Sequence, residues 1–214
     1  MQDRALNRAL IALAAGVFVL LIGFGFWMYG QLGSGDVMSG AFQESEQTRV
    51  DIGGAFNLVD HTGRQVTEAD YAGGYTLMYF GFTYCPDFCP AALQVVTAAL
   101  DQLEEQDPDV AKAVTPIFVS VDPERDTVSA MADYVSHFHP RMVGLTGTPE
   151  QVAEAAKNYR IYYQKVESDA ATYYLVDHST YLYLIGPDSY YVTHFSHDAT
   201  SEEVAERVKA VIGG

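Results

Sequence analysis

The chain has 214 residues, 49% of them hydrophobic, and its 28 acidic residues against 12 basic ones give a net charge of −16. This length allows one ordinary domain with a hydrophobic core of its own. The acidic charge argues against nucleic acid or an anionic membrane surface as a binding partner.

The first predicted element is a membrane anchor at residues 9–30. This segment carries no charged residue, and as a helix it would be about 33 Å long, enough for a hydrocarbon core of roughly 30 Å. Arg4 and Arg8 precede it, and no Lys or Arg follows until Arg49. The positive-inside rule therefore predicts that residues 1–8 are cytoplasmic and that the rest is exported. A cleaved secretory signal is the alternative, but its apolar core is usually shorter, about 7–15 residues.

Residues 31–48 are polar and contain Gly and Ser, which is typical of a linker. Residues 49–214 are predicted to form one α/β domain of thioredoxin type, with a central mixed sheet flanked by helices. The predicted elements of this domain are, in order, a hairpin (56–59 and 64–67), a strand (75–82), a helix (89–103), a strand (114–121), helices (about 127–138 and 149–159), strands (180–185 and 190–195) and a helix from Thr200 to Gly213.

The chain has two cysteines, Cys85 and Cys89, which lie between the predicted strand 75–82 and the helix that follows it. Backbone N–H groups at a helix start favour thiolate, the form that attacks disulfides and binds metals. A purely structural disulfide is the competing interpretation, but closing so short a loop contributes only roughly 2 kcal/mol. The pair therefore predicts a redox or metal site.

A third ligand is needed for an ordinary mononuclear site, and imidazole suits both copper and zinc. His178 is predicted to open the apolar strand of Tyr181–Ile185. In a thioredoxin-like sheet the start of that strand faces the cysteine loop, although position alone leaves a structural role open. Of the other histidines, His61 is expected to be solvated in a turn. His137 and His139 are expected to close a helix, and His194 and His197 to lie in or after the last hairpin.

Three segments of the chain resemble blocks of the Sco (SenC) family of copper chaperones. Gly81–Pro90, with the sequence GFTYCPDFCP, is similar to the copper-site motif of that family, and Val119–Thr127 is similar to its second block. Asp177–Ser179, followed by Leu184–Asp188, is similar to the third. The resemblance extends from about Phe56 to the C-terminus.

The resemblance implies a thioredoxin-like domain that binds copper, as Cu(I) and in some states Cu(II), through Cys85, Cys89 and His178. It also implies a membrane-anchored metallochaperone that assists maturation of the copper A centre in subunit II of cytochrome c oxidase. Copper donors and thiol reductants of the exported compartment would be further partners. The expected location is a bacterial inner membrane with the domain in the periplasm, or the equivalent intermembrane space.

Two other functions stay open at this stage. A thiol–disulfide oxidoreductase that reduces the cysteines of subunit II needs only Cys85 and Cys89, and a thiol peroxidase also uses a cysteine at this position. Oxidoreductases of this fold commonly place a cis-proline opposite the cysteine pair, but no proline occurs between Pro149 and Pro187. Asp87 is expected to cap the helix and Asp122 to hold the turn before Pro123, so neither is assigned to the site.

Overall fold

The computed structural model describes residues 19–28, 50–166 and 174–213. The chain divides into two units, with the boundary between Arg49 and Val50. Residues 19–28 are helical, whereas the rest of the predicted anchor, the N-terminal residues 1–8 and the linker 31–48 lie outside the described residues. Within the described ranges, no helix is both long and apolar enough to cross a membrane.

The second unit contains a mixed sheet of seven strands: β1 (Asn57–Asp60), β2 (Gln65–Thr67), β3 (Tyr75–Gly81), β4 (Val114–Ser120), β5 (Val143–Thr146), β8 (Leu182–Ile185) and β9 (Tyr191–Phe195). Their order across the sheet is β2-β1-β5-β4-β3-β8-β9. β4 runs parallel to both β3 and β5, while β3 pairs with β8 in the antiparallel sense. The predicted central mixed sheet is therefore confirmed.

The central strands are buried on both faces, which is why they read as continuous apolar runs. On one face the rings of Phe80 and Tyr159 lie 5.5 Å apart, and on the other face those of Phe118 and Tyr134 lie 5.2 Å apart. Neighbouring residues of a strand point to opposite faces, so Tyr79 shares the face of Phe118.

Five α-helices accompany the sheet among the described residues of this unit: α1 (Phe88–Gln106), α2 (Pro108–Lys112), α3 (Val128–Val135), α4 (Pro149–Asn158) and α5 (Ser201–Ile212). α1 packs against α2 and α5, and its predicted apolar stripe is buried. Capping boxes begin α4 at Thr148 and Gln151, and α5 at Thr200 and Glu203. Both helix starts were predicted from these residues.

A second sheet contains only β6 (Tyr163–Val166) and β7 (Leu175–His178), which are antiparallel. The sequence prediction was wrong about the element that carries His178. This residue does not open the strand that contains Leu182–Ile185, because it ends β7 and pairs with Tyr163. The sequence prediction also missed β5 and both strands of the second sheet.

Candidate metal centre

The site lies at one edge of the seven-stranded sheet. β3 and β4 are parallel and in register, so their carboxyl ends meet there, and the segment that leads into the antiparallel β8 reaches the same edge. Loops at the carboxyl ends of such strands form the usual ligand site of α/β sheets. Cys85 lies in the loop after β3, Cys89 in the first turn of α1, and His178 at the end of β7.

The structure brings these three predicted residues together. One possible ligand atom from each, the two Sγ atoms and a ring nitrogen of His178, all lie within 4.8 Å of one another. Cys89 Sγ is 3.5 Å from His178 Nε2. Both cysteines are free thiols in the structure.

The imidazole of His178 is oriented by its neighbours. Its Nδ1 lies 2.9 Å from the carbonyl oxygen of Ser179. Because a carbonyl only accepts hydrogen bonds, Nδ1 carries the proton and Nε2 presents its lone pair to the thiols. The ring also stands edge-on to Tyr79 and Phe82, with centroids 6.0 Å and 5.8 Å apart. These contacts prepare Nε2 as a ligand atom.

The two cysteines have different environments. Cys89 is fully buried, and burial followed by the proximity of Cys85 raises the pKa of its thiol. Cys85 is half-buried, and its pKa is lowered to about 4. The largest cause is a hydrogen bond from the Cys89 thiol, which outweighs the opposing effect of burial. The backbone N–H of Cys89 also donates to Cys85 Sγ, at 3.3 Å. The expected stabilisation of thiolate by N–H groups at the helix start therefore applies to Cys85.

Gly81, the last residue of β3, makes room for the buried sulfur. A Cβ atom at this position would lie 2.6 Å from Cys89 Sγ and 2.9 Å from Cε2 of Phe118. Both distances are too short for a side chain to be accommodated without movement. The glycine before the cysteine loop is thus a packing requirement of the site, which sequence reasoning had not recognised.

Asp126 connects the loops that follow β3 and β4. Its buried carboxylate accepts hydrogen bonds from the hydroxyl of Thr83 at 2.6 Å, the backbone N–H of Thr83 at 3.1 Å, and the hydroxyl of Ser120 at 2.6 Å. Thr83 lies two residues before Cys85. The network therefore fixes the start of the cysteine loop, a role that residue type and spacing did not indicate.

Arg125 connects the cysteine loop to the segment that carries His178. Its guanidinium carbon lies 3.7 Å from the ring centroid of Tyr174 and 4.8 Å from that of Tyr84, the neighbour of Cys85. Its Nη1 donates to the carbonyl oxygen of Tyr174 at 3.0 Å, and its Nε donates to the buried carboxylate of Asp122. Tyr174 directly precedes β7, so this cluster holds that strand near the cysteines.

Asp87 and Asp122, which the sequence analysis did not assign to the metal site, differ in whether they make the hydrogen bonds expected of them. Asp87 occupies the N-cap position of α1, but its side chain makes no capping hydrogen bond, so that prediction was wrong. Asp122 accepts from Arg125 and from the hydroxyl of Tyr174, and its carbonyl holds the turn that follows. His61 is not simply solvated, because its Nδ1 accepts from the backbone N–H of Gly144.

Within the residues that the structure describes, a second group of potential ligands combines two exposed carboxylates of α1 with a buried histidine. It contains Asp101, Glu104 and His139. His139 Nδ1 accepts from the backbone N–H of Arg141, so the proton of the neutral ring is on Nε2, which lies 3.3 Å from Glu104. Hydrogen bonding between the imidazole and the carboxylate therefore accounts for the proximity of these side chains without a metal ion.

An open cleft of about 340 Å³ gives access to the three-residue site. Cys85 and His178 line it, together with apolar side chains that include Phe88, Tyr162 and Leu175. Cys89 is not among the lining residues. A partner that enters the cleft would thus meet Cys85 and His178 first.

The fold and the site together define a thioredoxin-like protein in which two thiols and one imidazole converge at the edge of the sheet. The chain belongs to the SCO1/SenC family, since the family model of that description matches residues 44–213.

Individual relatives agree with this assignment. The chain is similar to a mitochondrial SCO2 homologue of Mus musculus, with 46% identity over 156 residues, which are 73% of this chain and 60% of that protein. It is also similar to a copper-bound crystal structure of Arabidopsis thaliana ScoI, with 41% identity, a TM-score of 0.71, and coverage of 76% of this chain and 99% of that one. A copper-bound structure of Bradyrhizobium japonicum ScoI is 39% identical, with a TM-score of 0.67 and coverage of 74% and 98%. The chain thus spans about three fifths of the length of the mouse protein.

Proposed function

We propose that this chain is a copper metallochaperone that holds copper through Cys85 Sγ, Cys89 Sγ and His178 Nε2. The observation that carries the proposal is the convergence of these three donor atoms within 4.8 Å, with Nδ1 of His178 held by the Ser179 carbonyl and Nε2 facing the Cys89 sulfur. Thiolates select Cu(I), and imidazole accepts copper as well. The copper-bound structures of two relatives support the choice of metal.

Delivery of the copper requires a site that a partner can reach. Cys85 and His178 line the open cleft while Cys89 is buried, so a partner's ligands can displace the accessible pair first. The proposed recipient is the copper A centre in subunit II of cytochrome c oxidase. The proposed location is the exported side of a membrane, with residues 9–30 as the anchor.

A titration of the full-length chain with Cu(I) under anaerobic reducing conditions tests the ligand set. We expect one copper per chain, loss of this binding in Cys85→Ser and in Cys89→Ser, and at least about tenfold weaker binding in His178→Ala. His137→Ala is the matched control, because this exposed histidine lies in the turn after α3 and, among the described residues, its ring bonds only to the Asp133 carbonyl. Binding that is equally tight in His178→Ala would contradict the three-ligand site.

The difference between the two cysteines favours a second candidate, a thiol–disulfide reductase. The accessible Cys85, with its pKa of about 4, can attack a partner's disulfide as thiolate to form a mixed disulfide. Cys89 would then attack Cys85 Sγ, release the reduced partner and leave a Cys85–Cys89 disulfide, which an external thiol reductant must reduce again. Equal rates of disulfide reduction by the copper-free wild type and His178→Ala would favour this function over copper delivery.

A further inference from the structure

Tyr79 has an unusual environment for a tyrosine. It lies in the middle of β3 and is only 1% exposed. Among the residues that the structure describes, its hydroxyl makes no hydrogen bond of ordinary geometry, and the Cys89 side chain is the group near enough to raise its pKa as a weak hydrogen-bond partner. A buried hydroxyl without a partner is costly and rare, and it needs a physical explanation.

The ring of Tyr79 borders two of the three proposed copper ligands. The position that a Cβ of Gly81 would occupy is 3.3 Å from Cε1 of Tyr79 and 2.6 Å from Cys89 Sγ. Cε1 is one bond from the carbon that carries the hydroxyl, so the polar end of the ring faces the same small space as the sulfur. The ring also meets the imidazole of His178 edge-on, at an interplanar angle of 87°.

The protonation state of the Cys89 sulfur determines how strong a hydrogen bond it can accept from the Tyr79 hydroxyl. A protonated thiol is a weak acceptor, whereas a thiolate is charged and accepts hydrogen bonds strongly. Burial, and after it the nearby Cys89 and Cys85, raise the pKa of Tyr79, so the hydroxyl keeps its proton and stays a donor.

Building on the proposed function, we propose that Tyr79 is a positioning residue whose hydroxyl donates a hydrogen bond to Cys89 Sγ when this sulfur is a copper-bound thiolate. In the thiol form the sulfur is a weak acceptor for this hydroxyl, and copper binding turns it into a thiolate that accepts strongly. The hydrogen bond draws electron density from the sulfur and thereby tunes its bond to the metal. Tyr79 would favour the loaded site over the empty one without being a ligand.

Tyr134 provides a matched control. Its hydroxyl is also buried and without a hydrogen-bond partner among the described residues, and its pKa is raised by burial and then by Cys89 and Cys85. Its ring, however, packs against Phe118 and Phe138 and has no contact with the His178 ring. Tyr134→Phe therefore removes a similar hydroxyl without removing the proposed donor.

The experiment compares full-length wild type, Tyr79→Phe and Tyr134→Phe by three measurements. These are Cu(I) affinity by competition with a chromophoric chelator, the sulfur-to-Cu(II) charge-transfer band, and the melting temperature without metal. We expect Tyr79→Phe to bind Cu(I) about tenfold more weakly, with its charge-transfer band moved to lower energy and its metal-free melting temperature not lowered. In Tyr134→Phe the affinity should stay within about twofold of wild type, with the band unmoved.

Two results would overturn the proposal while the proposed function stands. One is a Tyr79→Phe variant with wild-type affinity and an unmoved band, and the other is an equal effect in both variants. A wild-type chain that binds no copper would overturn the proposed function as well, so the two failures are distinguishable.

Discussion

At the scale of single residues, a few contacts decide what Cys85, Cys89 and His178 can do. The Ser179 carbonyl fixes the tautomer of His178, and the N–H of Cys89 supports a thiolate at Cys85. Gly81 leaves the space that the Cys89 sulfur occupies. Each contact involves a different part of the chain, and none is evident from residue type alone.

Gly81→Ala tests the space around the buried sulfur. The new Cβ would lie 2.6 Å from Cys89 Sγ, so the sulfur must move. We expect the free energy of unfolding to fall by about 1–3 kcal/mol, the usual cost of overpacking, and copper affinity to fall with it. Chemical denaturation and a copper titration measure the two effects. In the control, Gly23→Ala, an added Cβ meets no described residue within 4 Å, so an equal loss there would contradict the explanation.

Asp60 makes the stability of the domain depend on pH. Burial raises the pKa of its carboxyl, but hydrogen bonds from Thr62 and Arg64 outweigh burial and lower it from 3.8 to about 2. The ionised form therefore stabilises the fold by roughly 2 kcal/mol at neutral pH. This contribution is present in full above about pH 4 and is lost as the pH falls towards 2.

The corresponding variant is Asp60→Asn, measured by denaturant unfolding at several pH values. We expect it to be less stable than wild type by about 2 kcal/mol at pH 7, with the difference disappearing between about pH 4 and 2. Asp109→Asn is the control, because the Asp109 side chain is 95% exposed and should change stability little. A stability difference that does not vary with pH would contradict the role of the Asp60 charge.

At the scale of elements, the position of β7 determines whether His178 reaches the cysteines. β7 belongs to a two-stranded sheet and is not part of the seven-stranded sheet. Arg125 holds its start, since the guanidinium carbon lies 3.7 Å from the ring centroid of Tyr174 and Nη1 donates to the Tyr174 carbonyl, while the Tyr84 ring is 4.8 Å away. The loop after β4 thereby connects the two ligand-bearing segments.

Arg125→Lys tests this connection while keeping the positive charge near Asp122. A lysine cannot stack as a plane on Tyr174 or reproduce the forked hydrogen bonds. We expect hydrogen exchange of the β7 amides to become several-fold faster, and copper binding to weaken as His178 becomes less well positioned. Lys165→Arg is a control at the same ring, because Lys165 lies 4.9 Å from Tyr174 but bonds to the exposed Glu124. Unchanged exchange in β7 after Arg125→Lys would show that other contacts hold the strand.

At the scale of the whole molecule, the sheet order explains how positions far apart in sequence form one site. β3 lies between β4 and β8, and the segments at their common edge carry the cysteines, the Arg125–Asp126 pair and His178. The long apolar strands and the capped helices were predictable, because periodicity and capping are local properties of the sequence. Cys85 and Cys89 followed from their place between strand and helix, whereas His178 depended on the family resemblance.

The remaining parts were not predictable for identifiable reasons. The apolar part of β7, Leu175–Val176, is too short to indicate a strand by itself before the polar residues 177–180, so β7 was not recognised as separate from β8. β6 is mostly exposed and shows little hydrophobic pattern. The roles of Gly81, Tyr79 and Asp126 depend on contacts across strands and loops, which residue spacing does not specify.

X-ray absorption spectroscopy of the Cu(I)-loaded chain tests the central claim most directly, since it identifies the atoms bound to copper. The proposed site predicts two sulfur ligands and one imidazole nitrogen, with loss of the nitrogen in His178→Ala and retention of all three ligands in His137→Ala. A spectrum that contains sulfur alone, or that is the same in wild type and His178→Ala, would contradict a copper site formed by Cys85, Cys89 and His178.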